Sequence, residues 1–233
     1  AMASPPAAVT AFKREAATAQ SLSSPRVIEV IDYDQDAELH FIVSEFLQGE
    51  SLHALLKRLD GKPLQLARAM RMIRDLAEAL RYAHGKGVIH ADFKPGNAFV
   101  CEDGRLKLLD FGVARTFGVA SSGRPSGAGD GNLQGMTPAY ASAEVLDGRR
   151  PEPRDDIFSL SVVAYRLLSG RHPFNGRTAA EAKAEGLRPA RIKRLRPAAW
   201  RALRRGLALA RRDRIPTIHA FIEDFTAEGL GAN

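Results

Sequence analysis

His90-Ala91-Asp92-Phe93-Lys94-Pro95-Gly96-Asn97, followed thirteen residues after Asn97 by Asp110-Phe111-Gly112, is the stretch on which the reading of this chain turns. Between the two segments lie Ala98 to Cys101 and Leu106 to Leu109, strand-like runs joined by the turn residues Glu102-Asp103-Gly104. The spacing predicts a short hairpin with the polar segments on loops at one of its ends. Two carboxylates, a carboxamide and an ammonium then share one edge of a small sheet.

The flanking sequence predicts what this hairpin packs on. Leu66 to His84 sets Ala69, Ile73, Leu76, Ala77 and Leu80 at three- and four-residue steps, the stripe of a core-facing helix, and Gly85 and Gly87 stop it. Asp156 to Leu168 is mostly apolar on every side, which predicts a helix buried in the middle of a helical unit. Further helices are expected at Ala179 to Glu185, Ala198 to Leu209 and Thr217 to Phe225, and Gly118 to Gly135 reads as a long Gly/Ser-rich loop. Towards the N-terminus, Ala11 to Leu22 reads as a helix. Val27 to Asp32 and Leu39 to Glu45 read as strands joined by the polar Asp34 to Glu38, and Gly49 and Ser51 open a short helix ending at Leu59.

Composition bounds the class. The 233 residues suffice for one sizeable core or two small lobes around a cleft, and 45% hydrophobic with 26% charged residues is ordinary for a globular chain. No apolar run approaches the roughly 20 residues needed to span a bilayer, and the N-terminus lacks the layout of a signal peptide. Cys101 is the only cysteine, so no internal disulfide forms. These points favour a cytoplasmic setting. The net charge of +7 is concentrated between Arg188 and Arg214, where eleven Lys and Arg residues face the single acid Asp213. Such a run can attract an acidic protein, a membrane surface or nucleic acid, but solvated helix faces are the simpler reading. Only Trp200 interleaves the cations as an aromatic, which argues against nucleic acid.

The polar groups fit one chemistry. Phosphoryl transfer to a hydroxyl needs a carboxylate to orient or accept the hydroxyl proton, oxygen ligands for magnesium, and a cation near the moving phosphoryl group. Here the sequence resembles the eukaryotic-type protein kinases, most closely the bacterial (Hanks-type) Ser/Thr kinases, from about Phe12 to Phe225. The resemblance implies an α+β, two-lobe kinase-like fold with a truncated N-terminal lobe and a mostly helical C-terminal lobe. It divides the chain into a disordered or tag-derived stretch 1–10, a remnant lobe 11–48 of helix plus hairpin, a lobe 49–228 and a tail 229–233. It also implies ATP and Mg2+ as cofactors, with Asp92 as catalytic base, Lys94 on the γ-phosphate, and Asn97 and Asp110 as metal ligands. Glu45, Phe46 and Leu47 would meet adenine through their main chain, with Phe99 under the ring. His90, Phe111 and Gly112 would be structural supports. Thr137-Pro138-Ala139-Tyr140 looks like the substrate-side loop, closed by Glu144 where Ala143 replaces the usual proline; Arg214 is the expected partner of Glu144. Asp156 would start the buried helix and hold the catalytic loop. Lys94 and Thr137 resemble Ser/Thr kinases and not tyrosine kinases, and Ala91 stands where many kinases have arginine.

One part of the pattern has no counterpart. Glu15 falls where the family's third-helix glutamate pairs with a strand lysine, yet only fourteen residues precede it here, too few for three strands and a glycine-rich loop. Ala1 ahead of Met2 reads as an added residue, and the sequence favours a protein that begins at Met2 without those strands. The expected function is therefore Ser/Thr protein phosphorylation, weak in this chain alone, on a protein substrate or under a regulatory partner. An open strand edge, Leu39 to Glu45, invites a second copy. The alternatives are a pseudokinase acting as a binding module, and a small-molecule phosphotransferase of the aminoglycoside or choline kinase type. Lys94, the Asp-Phe-Gly tripeptide and the Thr137 to Glu144 segment speak against the last.

Overall fold

The computed structural model describes residues 10, 13, 16–36, 39–110, 115–116 and 137–226. Residues 16–20 are helical. In chain order there follow β1 (Val30–Asp36), β2 (Leu39–Ser44), β3 (Gly49–Ser51), α1 (Leu52–Leu59), α2 (Leu66–Gly85), β4 (Val88–Ile89), β5 (Ala98–Cys101), β6 (Leu106–Leu108) and β7 (Arg115–Thr116). The remaining chain is helical: α3 (Ala143–Leu146), α4 (Pro153–Ser169), α5 (Ala179–Ala184), α6 (Pro197–Gly206) and α7 (Ile218–Thr226). The architecture is α+β with all strand pairs antiparallel: β1 with β2, β3-β5-β6 as a three-stranded sheet, and β4 with β7.

Helix α4 is the axis of the helical part. Its sequence is apolar on all sides, so Ile157, Phe158, Leu160, Val162, Val163 and Leu167 are all buried. Pro153 sits in its first turn, Glu152 and Asp155 form a reciprocal capping box, and Gly170 ends it at φ +77°. That glycine is obligatory: a Cβ there would lie 1.9 Å from the carbonyl oxygen of Gly61. The apolar stripe of α2 packs against α4 with Ala69, Ile73, Leu76, Ala77 and Leu80 buried. Arg194 closes the base of this core by donating to the carbonyls of Leu64 and Leu168.

Several boundaries differ from the sequence expectation. β1 runs on to Asp36, because the polar Asp34 and Gln35 pair across the hairpin with Phe41 and His40 and point into solvent. Gly49 to Ser51 form a strand beside β5, so helix α1 starts only at Leu52, with the Ser51 hydroxyl accepting from the Ala54 N–H. Asp156 does not start α4; Pro153 does, three residues earlier. Helix α6 ends at Gly206, well short of Leu209. The two-residue strand β4 and its partner β7 carry no legible alternation. The expected loop from Gly118 to Gly135 lies outside the described residues, as do Glu15, Phe111 and Gly112.

Candidate active site

The loop from His90 to Asn97 is delivered by α2 and β4. Helix α2 stops at Gly85, Gly87 turns the chain at φ +75°, and the buried Val88 and Ile89 feed His90 inward. There the loop meets Asp156 of α4, which is fully buried. One carboxylate oxygen accepts from the His90 N–H at 2.9 Å and stands 2.8 Å from His84 Nε2; the other accepts from the Ala91 N–H at 2.8 Å. Burial alone would push the Asp156 carboxyl up, but the His84 and His90 contacts outweigh it and hold it below the usual carboxylate range. Both N–H groups can meet one carboxylate because Ala91 takes φ +65°, a left-handed conformation that costs energy for a residue with a Cβ.

Three polar side chains then gather on one short arc. Lys94 Nζ donates to Asp92 Oδ2 at 2.7 Å, and both side chains are largely shielded from water. Asn97 Nδ2 donates to the Asp92 carbonyl at 3.0 Å. Pro95 opens the 3-10 turn Pro95–Asn97, which closes through the Asn97 N–H on the Lys94 carbonyl. Phe93 is buried beneath, with His90 edge-on at 5.9 Å between ring centres.

Asp110 reaches this arc through the β5–β6 hairpin. The ladder pairs Ala98 with Leu108 and continues one step further, the Leu109 N–H donating to the Asn97 carbonyl at 2.8 Å. Asp110 is the next residue, exposed and at φ +32°. An amide oxygen and a carboxylate on facing chain segments are hard oxygen ligands suited to magnesium. Among the described residues no three His, Cys, Asp or Glu gather to hold a metal by themselves, so this pair fits a cation that brings further oxygen ligands with it.

The expected adenine segment is placed differently in part. The Glu45 N–H is committed to the Glu29 carbonyl, and the Glu45 carboxylate accepts from the Glu29 N–H and from Lys107 Nζ. Burial alone would raise the Glu45 carboxyl; the Lys107 ammonium and the Glu29 N–H hold it low. This leaves the Glu45 carbonyl and the main chain of Phe46 and Leu47 as the groups a base could meet. The Phe46 side chain is 87% exposed, and Phe99 is half-buried on β5, two residues from Asn97.

Thr137 is exposed and precedes the 3-10 turn Pro138–Tyr140. Tyr140 is buried, its hydroxyl accepting from Arg166 and its carbonyl from the Ser159 hydroxyl. Arg214 is buried with Nη2 2.7 Å from Glu144 Oε2 and Nη1 3.0 Å from Asp155 Oδ1. Sequence reasoning missed three supports. His84 shares Asp156 with the loop. Arg211 adds two further bonds to Asp155 and donates its N–H to Glu144. His172 donates from Nε2 to the Ala139 carbonyl, while its Nδ1 accepts from the N–H groups of Phe174 and Gly176.

Comparison with known proteins agrees with this geometry. The protein kinase domain model matches residues 4–214. A serine/threonine-protein kinase of Myxococcus xanthus, pkn2, is 38% identical over 168 residues, covering 71% of this chain and 20% of its own. The pkn3 kinase of the same organism is 34% identical over 233 residues, covering 94% of this chain and 42% of its own. The PknA kinase of Mycobacterium tuberculosis is 34% identical over 178 residues, covering 74% of this chain and 39% of its own. The chain thus spans less than half the length of these relatives. By the family match and these identities, the chain belongs to the protein kinase family.

Proposed function

We propose that this chain carries the phosphoryl-transfer site of a Ser/Thr protein kinase that uses Mg-ATP. The observation that carries the reading is the Asp92, Lys94 and Asn97 arc, held from below by the single buried carboxylate of Asp156. Asp92 would orient the acceptor hydroxyl and take its proton. Lys94, already beside Asp92, would neutralise charge on the transferred group. Asn97 and Asp110 would hold magnesium, and the Glu45 carbonyl with the main chain of Phe46 and Leu47 would meet adenine above Phe99. Bound Mg-ATP supplies the phosphoryl group and its charge-neutralising cation. Protein kinases generally use both, and the relatives' names extend to a Ser or Thr acceptor.

The acceptor in this reading is a protein hydroxyl in the cytoplasm; no described helix is long and apolar enough to cross a membrane. A second copy pairing along β2 belongs to the same proposal, since Ile31 on β1 and Val43 on β2 are large apolar side chains left exposed. A binding module without transfer is the second reading. The test is a thermal shift with Mg-ATP followed by phosphate transfer to a generic protein substrate. The kinase reading expects both, with Asp92→Asn lowering transfer by about a hundredfold or more. A shift without transfer leaves the binding module; transfer unchanged in Asp92→Asn overturns the assignment of the base.

A further inference from the structure

Most of the basic run ahead of Arg214 is not spent on the fold. Arg194 and Arg211 are tied to carbonyls and carboxylates of the core. Arg188, Arg191 and Arg204, by contrast, are exposed and form no ion pair among the described residues. They belong to one place. A groove of about 770 Å³ runs between α5 and α6, and these three guanidinium groups line it together with Lys183. The groove is apolar within, lined by Phe174, Leu187, Trp200 and Leu207, and Asp213 is its one acid. It shares no residue with the catalytic loop.

The sequence explains how the groove forms. Gly186, at φ +65°, ends α5 after one and a half turns and sends Leu187 and Pro189 across the face of α6. Helix α6 buries Ala199, Ala202 and Leu203 against the core, which leaves Trp200 and Arg204 on the side facing the groove. Trp200 is only half-buried. Cations at the rim around an apolar interior make a surface whose complement is acidic at its ends and apolar in its middle.

We propose that this groove binds an acidic polypeptide segment, seating an aliphatic or aromatic anchor beside Trp200 and pairing flanking carboxylates with Arg188, Arg191 and Arg204. A nucleic acid fits less well, since a half-buried indole and the fully buried Phe174 ring make no stacking platform. A membrane fits less well too, because the apolar residues line a concavity and do not protrude. The location gives the binding a consequence. Phe174 lines the groove, its N–H bonds to His172, and His172 holds the Ala139 carbonyl of the substrate-side turn. A segment docked here is therefore two contacts from the residues that would face an acceptor.

Trp200 is the only tryptophan in the chain, so its emission reports the groove directly. The probe is the short peptide Glu-Asp-Glu-Leu-Phe-Glu-Asp-Glu, titrated in low salt against the intact chain. The expected result is a saturable change in Trp200 emission that weakens as salt is raised. The affinity should fall at least tenfold in the double variant Arg188→Glu, Arg191→Glu, and also when Leu-Phe in the peptide is replaced by Ser-Ser. Both arginines are exposed, so a melting curve checks that the variant is folded. Equal binding of the Ser-Ser peptide or of a single-stranded oligonucleotide overturns the proposal, as does an unchanged affinity in the folded double variant or no emission change at all. Binding of the peptide in Asp92→Asn should equal that of the unaltered chain, which separates this site from the catalytic assignment.

Discussion

His84 Nε2 stands 2.8 Å from the same Asp156 oxygen that accepts the His90 N–H, so helix α2, helix α4 and the loop from His90 to Asn97 meet at one buried carboxylate. Replacing Asp156 by Ala leaves the N–H groups of His90 and Ala91 without their acceptor in a water-free site. The expected cost is about 3 kcal/mol or more of unfolding free energy by chemical denaturation. His84→Ala keeps both N–H bonds and should cost about half as much. Equal losses in the two variants would show that the loop does not depend on the carboxylate.

His172 makes stability depend on pH in a direction the structure fixes. Its Nδ1 accepts from two N–H groups, so the proton sits on Nε2 and the ring is neutral. Burial lowers its pKa below the ordinary 6.5, and nearby Arg166 lowers it further, against the Ala139 bond that raises it. A folded pKa below the unfolded one means that protonation favours the unfolded chain. The contribution is thus fully present above pH 6.5 and is lost as pH falls through the folded value. Melting temperatures of the chain and of His172→Gln, measured from neutral to mildly acidic pH, should converge as the pH drops. Parallel curves would show that His172 does not titrate in this way.

Helices α4 and α6 touch at a glycine. A Cβ on Gly206 would lie 2.0 Å from Ser161 Oγ and 3.0 Å from Ser161 Cβ, both deep in the core. Gly206→Ala should therefore cost about 1–3 kcal/mol despite the better helix propensity of alanine. Ser161→Ala removes the hydroxyl, which has no hydrogen-bond partner where it is buried, and should itself be close to neutral. In the Ser161→Ala background the cost of Gly206→Ala should shrink, because only the 3.0 Å contact remains. Strict additivity of the two changes would show that the helices separate instead of clashing.

The neighbourhood of the candidate site was legible because its residues are close in sequence. His90 to Asn97 is one loop, and the spacing predicted the β5–β6 hairpin that brings Leu109, next to Asp110, back beside Asn97. Helices α2 and α4 were legible from their apolar patterns, and Glu144 with Arg214 from the family resemblance. What was not legible depends on contacts between distant segments. Glu45 spends its N–H on Glu29, a pairing set by the bulged register of the β1–β2 hairpin and not by any local pattern. His84 and Arg211 reach the carboxylates of Asp156 and Asp155, 72 and 56 residues away, and His172 bonds main-chain groups, pairings that no local pattern marks. The basic run around Trp200 was read as solvated helix faces, because periodicity does not reveal how α5 and α6 sit against each other.

Arg214 is the most buried cation of the described chain, and its partners make the consequence of removing it specific. Its guanidinium lies over the Phe158 ring at 4.9 Å and bonds Glu144, Asp155 and the carbonyls of Ala208 and Leu209. Arg214→Met roughly preserves the volume but leaves two carboxylates facing each other with less charge between them. Arg211 still reaches Asp155 and Glu144, so the loss should be about 3 kcal/mol, at the lower end for a broken buried pair. The acid limb distinguishes this loss from poor packing. Burial alone would raise the Glu144 carboxyl; its own N–H, Arg214 and the Arg211 N–H hold it below its ordinary 4.5. A depressed carboxyl contributes stability above pH 4.5 that is lost as pH falls through the folded value. Arg214→Met should therefore be less sensitive to acid than the unaltered chain, its deficit narrowing as pH is lowered from neutral to about 4 in denaturant titrations. A deficit that stays constant over that range would assign the loss to packing against Phe158 and not to the ion pairs.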